Sequence, residues 1–283
     1  MASFWTRRRP APADDEPKKE GWGGTVRFLL VLALLAWAVR SFLFAPFSIP
    51  SGSMLPALYV GDYVLVSKWP YGYSRYSFPW RFPPFRGRVL GRLPQRGDVV
   101  VFRPEGARHD FIKRVIGLPG DTIELSGGML VLNGTALPRE PFGNFAMTVS
   151  ANSPCKVVPP ATPFLVESER GVSCLYPTFL ERLPDGPAYR VIDQVDSPRF
   201  DDFGPIRVPE GHVFMLGDNR DDSFDSRFSV AEGGVGLVPI ENLVGRASSI
   251  FWSTNGSAEY WKPWTWFTAL RSDRLGQRFR SIE

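Results

Sequence analysis

The chain has 283 residues, 43% hydrophobic and 14% aromatic, enough for one large or two modest packed domains and incompatible with disorder beyond the N-terminal tail. Its 27 Gly and 27 Pro exclude an architecture of long helices, since both residues are poorly tolerated inside regular elements, and predict a β-rich body with many turns. A net charge of +4 fits nucleic acid, an anionic membrane surface or neither, so the distribution of charge decides.

Residues 1–20 carry Arg7, Arg8, Arg9, Lys18 and Lys19 among prolines and acids and read as a solvated tail. The unbroken apolar run that follows, Phe28 to Val39, has twelve residues, short of the roughly 20 that cross a bilayer at about 1.5 Å per residue. With its weakly polar flanks, and with Arg27 and Arg40 placed to snorkel, it predicts one transmembrane signal-anchor helix over residues 25–44. A cleaved signal is the alternative, but Arg40-Ser41-Phe42-Leu43-Phe44-Ala45-Pro46 offers no good small-x-small site. Six Lys or Arg precede Phe28, against Arg40 alone from there to Lys68, which puts the N-terminus in the cytoplasm and the chain after about Ala45 in the periplasm or outside.

Beyond the anchor, Tyr63–Val66 and Val99–Phe102 are short β-branched or aromatic runs, each introduced by Gly-Asp, and read as strands. Between them, residues 63–97 contain no acid but hold Lys68, Arg75, Arg81, Arg86, Arg88, Arg92 and Arg96, interleaved with eight aromatics from Trp69 to Phe85. Such a loop, about 69–97, has the composition to grip single-stranded nucleic acid; the anchor favours a lipid bilayer instead. Phe111–Ile116 is a further strand, and Leu118-Pro119-Gly120-Asp121 places Pro and Gly as a type II turn requires. Tight hairpins are expected through Thr122–Leu125, Met129–Leu132 and Asn133-Gly134.

Residues 135 to about 208 show much Pro and no clean periodicity and suggest a loop-rich β insertion. Val213–Leu216 and Ala247–Trp252 read as returning strands. The C-terminal segment 257–283, with Trp261, Trp264, Trp266, Arg271, Arg274, Arg278 and Arg280, repeats the basic-aromatic character. The expected body is mainly β: an antiparallel core from 45–121 and 211–256 with a smaller β-rich insertion at 122–210. Cys155 and Cys174 suit an oxidising compartment, where closing their loop of about 20 residues contributes roughly 3 kcal/mol; two unpaired buried thiols are the other reading. Without Cys-x-x-Cys spacing, and with two His in the chain, no zinc site is expected.

A serine hydroxyl needs a base to become a nucleophile. His109 and His212 have no motif around them. A lysine serves if an apolar setting removes its proton near neutral pH. Lys113 has such flanks on its strand; Lys68, followed by Trp69-Pro70, is the rival and is expected to be wetter. Asp218, Asp221, Asp222 and Asp225 lack the spacing of a calcium loop, and Ser153-Pro154-Cys155-Lys156, a formal Ser-x-x-Lys, has a proline that spoils a helix and no Lys-Thr-Gly partner.

Three blocks, Pro50-Ser51-Gly52-Ser53-Met54-Leu55-Pro56, then Phe111 through Asp121, then Gly217-Asp218-Asn219-Arg220-Asp221-Asp222-Ser223-Phe224-Asp225-Ser226-Arg227, resemble in type and order the bacterial type I signal peptidases, over roughly residues 44–256. The resemblance implies a membrane-bound Ser/Lys endopeptidase without cofactor or metal, single-pass in the inner membrane, whose partners are signal-peptide-bearing preproteins near the export machinery and the bilayer, not nucleic acid. It implies Ser53 as nucleophile and Lys113 as general base, Ser51 with the Ser53 N–H as oxyanion donors, and Ser223, Asp225 and Arg227 in support. Its substrate pocket walls correspond to Phe47, Ile49, Pro50, Met54, Leu58, Val64, Val101, Phe111 and Ile112. Shallow apolar pockets of that kind select small side chains by excluding bulk. The chain departs from the family in reading Asp221-Asp222-Ser223 where Asp-Asn-Ser is usual, and in the segment after Arg227. A pilus- or conjugation-type Ser/Lys peptidase and a non-enzymatic anchored peptide-binding protein are the alternatives.

Overall fold

A computed structural model describes residues 22–168, 171–259 and 261–279; the basic tail and Arg280 lie outside them. The chain divides into two compact units at Trp37/Ala38. In the first, α1 (Trp22–Ala38) buries none of its residues. A π-helical turn (Val39–Leu43) prolongs it, so Trp22–Leu43 is a 22-residue apolar span, about 33 Å at 1.5 Å per residue, long enough to cross a bilayer of about 30 Å.

The second unit is built from antiparallel strands: β1 (Phe44–Ser48), β2 (Asp62–Ser67), β3 (Val99–Phe102), β4 (Phe111–Gly117), β5 (Thr122–Ser126), β6 (Met129–Leu132), β7 (Thr135–Ala136), β8 (Arg139–Thr148), β9 (Phe164–Ser168), β10 (Gly171–Arg182), β11 (Ala188–Ile192), β12 (Phe203–Arg207), β13 (His212–Leu216), β14 (Val238–Pro239) and β15 (Leu243–Ser253). One seven-stranded sheet runs in the order β1-β2-β15-β3-β4-β13-β14. The chain between β4 and β13 forms two four-stranded sheets, β12-β5-β6-β7 and β11-β10-β8 with β9 on β10. The Pro119-Gly120 turn joins β4 to β5, with Gly120 at φ +90°, the positive φ such a turn demands. One buried cluster on the large sheet gathers Ile49, Met54, Leu58, Val64, Val66, Val99, Val101 and Ile250.

The loop-rich expectation for residues 135–208 is corrected: β8 has 10 residues and β10 has 12. Alternation is present in β10, but its inward positions are Cys174, Tyr176, Thr178 and Leu180, of which only one is aliphatic, and the register with β8 shifts between Pro177 and Phe179. Cys155 and Cys174 are joined by a disulfide, with Cα atoms 5.4 Å apart.

The two basic-aromatic segments are not uniform surfaces. Tyr71 is core and donates its hydroxyl to Asp98 (2.9 Å), while Arg88 turns inward to the carbonyls of Gly72, Ile240 and Leu243. Arg274 is buried against Asp62 (2.6 Å) and Ala57 O (2.9 Å), and Arg271 donates to Val60 O. These arginines satisfy backbone carbonyls and a buried acid rather than a headgroup. Trp69, Trp80, Phe82, Leu90 and Leu93, with Trp261, Trp264 and Phe267, are the exposed remainder.

Candidate active site

Ser53 lies in the turn after β1, Lys113 on β4 and Ser223 to Arg227 after β13, so the large sheet and its connections bring the three blocks together. Lys113 Nζ donates to Ser53 Oγ at 2.5 Å, with the two residues 3% and 8% exposed. Burial lowers the lysine to about 8; Asp225 and then Asp218 hold it up against that, while Arg227 pushes the same way as burial. An amine so placed is a base within reach of neutral pH.

Lys68 corrects an expectation. It is 4% exposed and held lower still, to about 7, again chiefly by burial. The strand preceding Ser53 covers it: its N–H donates to Leu43 O and its ammonium lies 5.5 Å from the Phe47 ring. A depressed pKa is therefore shared by both lysines; the contact with Ser53 belongs to Lys113.

Asp225, fully buried, accepts from the Ser223 hydroxyl (2.7 Å), Gly217 N–H (2.9 Å) and both Nε and Nη2 of Arg227 (2.9 Å each); against burial, which raises it, the charge and hydrogen bonds of Arg227 and then the Gly217 N–H hold its carboxyl below the ordinary range. Arg227 also donates to Arg220 O and Phe200 O. Ser51 Oγ lies 3.5 Å from Ser53 Oγ. Two residues that sequence reasoning left without a role fasten the nucleophile loop. Asn219 donates its N–H to Ser53 O and its side-chain amide to Gly52 O, both at 3.1 Å. Gly217 lies so close that a Cβ there falls 2.2 Å from Ser223 Oγ and 2.5 Å from Ser53 O. Their only sequence signal was adjacency to Ser223 in the third block. The acids of that block divide among partners: Asp218 takes Arg114, Asp222 takes Lys156, and Asp221 accepts from the Gln194 and Val195 N–H groups.

A cleft of about 790 Å³ opens on one side of Ser53, lined by Phe47, Ile49, Pro50, Val101, Phe111 and Ile112 together with Ser51, Ser53 and Lys113. A second, of about 430 Å³, lies against Met147, Ser153, Lys156, Tyr176 and Asp222 and shares Ser53 and Lys113. Met54, Leu58 and Val64, all fully buried, line neither and pack in the core cluster with Ile49 and Val101.

The family described as "Signal peptidase, peptidase S26" matches residues 22–252. The chain belongs to this signal peptidase family. It is 34% identical to signal peptidase I of Rickettsia massiliae (strain Mtu5) over 93% of both chains, and 33% identical to that of Rickettsia akari (strain Hartford) over 94% of this chain and 93% of the relative. The buried contact between Ser53 and Lys113 borders both clefts.

Proposed function

We propose that this chain removes N-terminal signal peptides from exported preproteins, cutting after small-x-small. The observation that carries the reading is the 2.5 Å contact between the deprotonatable Lys113 amine and Ser53 Oγ. Neutral Lys113 takes the hydroxyl proton as Ser53 attacks the scissile carbonyl. The oxyanion is met by the Ser53 N–H and the Ser51 hydroxyl, donors that can each supply a few kcal/mol in the transition state. The Lys113 ammonium returns the proton to the departing amine, which frees the mature protein; water, deprotonated by Lys113, then cleaves the Ser53 ester. Ser223, Asp225 and Arg227 position the lysine environment. Small side chains seat against Ile49, Phe111, Ile112 and Val101, with Met54, Leu58 and Val64 as the floor behind them.

In the same reading the N-terminus is cytoplasmic and residues from about 45 lie on the outer side of the inner membrane, with 122–210 an insertion in the catalytic core. Intact spheroplasts expressing the chain should cut a preprotein added outside, over the background of a Ser53→Ala strain, and the new N-terminus should follow small-x-small. An unchanged background, or a new N-terminus elsewhere, defeats the proposal.

The exposed Trp80 and Trp264, with Phe82, Leu90 and Phe267, are assigned to the bilayer interface, where aromatic rings settle at headgroup level. Brominated lipids should quench tryptophan emission of the reconstituted protein, and less so after Trp80→Phe with Trp264→Phe; equal quenching in both forms would contradict the assignment.

A further inference from the structure

The large cleft does not end at its apolar walls. Arg40, Arg103, Arg108, His109 and Asp110 line it as well. Arg103 Nε donates to Asp110 at 2.6 Å, so that pair is neutral as a unit. Arg40 and Arg108 are exposed, and neither is in an ion pair among the described residues. Glu105, in the same loop, does not line the cleft. The cleft therefore presents two uncompensated guanidinium groups to whatever occupies it.

The geometry also says where along a bound chain they act. Followed away from the reacting groups, the segment before Ser53 passes Ile49 and Phe47 towards Arg40, while the segment before Lys113 passes Ile112 and Phe111 to Arg108. Arg108 stands five residues before Lys113, in a bend ahead of β4, and so lies within the span of about 16 Å that five fully extended residues would cover. A substrate strand with its scissile carbonyl at Ser53 has the same rise. A substrate reaching about its fifth residue before the cut then covers that span, in the cleft that Arg40 lines as well.

We propose that Arg40 and Arg108 form a charge-selective subsite, favouring a carboxylate side chain at about the fifth residue before the cut and disfavouring lysine or arginine there. This rests on the signal-peptidase reading and adds a substrate preference to it. Neither arginine touches the reacting atoms, so selection acts through long-range attraction, weakened by salt.

The test uses the full-length protein in nonionic detergent and three preproteins that differ only at the fifth residue before the cut: Glu, Gln or Lys. We expect kcat/KM to fall in that order, with Glu over Lys by about three- to tenfold, the range that one or two exposed ion pairs give. The R40Q/R108Q double variant should bring that ratio to within about twofold of unity, as should high salt. Equal rates for the three substrates in wild type, or a ratio that survives in the double variant, overturn the subsite. A ratio seen only when anionic phospholipid is added to the micelles also overturns it, and assigns the arginines to headgroups. Cutting of none of the three defeats the peptidase reading itself, an outcome distinct from equal cutting of all.

Discussion

Preprotein cleavage should rise with pH and reach half its plateau near pH 8, and Ser53→Ala or Lys113→Met should each remove at least about three orders of magnitude of it, the scale seen when members of a nucleophile–base unit are deleted. The sign follows from the base. As the proposed base Lys113 would work only when neutral, and burial brings it down to about 8 from the ordinary lysine value, so the competent fraction should grow as pH climbs through that value and be full above it. Asp225 is the largest influence holding the ammonium on, and Arg227 opposes it. In Asp225→Asn the negative charge is gone while the guanidinium remains, so the residual profile should move to lower pH. A profile centred near 7 that follows Lys68→Met instead would transfer the role to Lys68, which lies lower but has no contact with Ser53. Circular dichroism of each variant establishes that lost activity is not lost fold.

The second large effect is on stability. Arg114, next to Lys113 on β4, is among the largest fully buried side chains. It donates Nε and Nη2 to Asp218 at 2.8 and 2.6 Å and Nη1 to Gly97 O at 2.8 Å, with its guanidinium 4.4 Å from the Tyr189 ring centroid. Replacing it with methionine leaves Asp218 charged and enclosed, and breaking a buried pair from one side costs about 3–5 kcal/mol. Urea unfolding of Arg114→Met should show a loss in that range, and adding Asp218→Leu should recover most of it, because two apolar side chains leave no stranded charge. A loss under about 1 kcal/mol, or a double variant worse than the single, would mean that the pair is solvated in a way its burial does not suggest.

Much of the catalytic core could be read from residues because its cues are local. Gly-Asp introducing β2 and β3, the Pro119-Gly120 turn and the four-residue apolar runs of β3 and β13 each announce themselves within a few positions. The anchor was legible for the same reason. What was hidden depends on partners far along the chain. The inward face of β10 is made of Cys174, Tyr176, Thr178 and Leu180, a set whose burial is set by β8 and β11 rather than by its own hydrophobicity. Arg88, Arg271 and Arg274 looked like surface charge because nothing nearby in sequence reveals that carbonyls of residues 57, 60 and 240–243 await them. Lys68 looked wet because the strand that covers it lies more than twenty residues upstream. Asn219 and Gly217 act by touching the backbone of residues 52 and 53, a contact that leaves no pattern within either segment.

The sheet order carries a consequence for the life of the nascent chain. Ser53 follows β1 and Lys113 sits on β4, and among the described residues the strand that pairs with both β2 and β3 is β15, residues 243–253. Without that late strand, β1-β2 and β3-β4 do not share one sheet. Ser53 and Lys113, sixty residues apart, then lack the continuous sheet between their segments and keep the Asn219 contacts to residues 52 and 53. That strand lies in about the last seventh of the sequence, so a product ending before residue 243 lacks the element that joins β2 to β3.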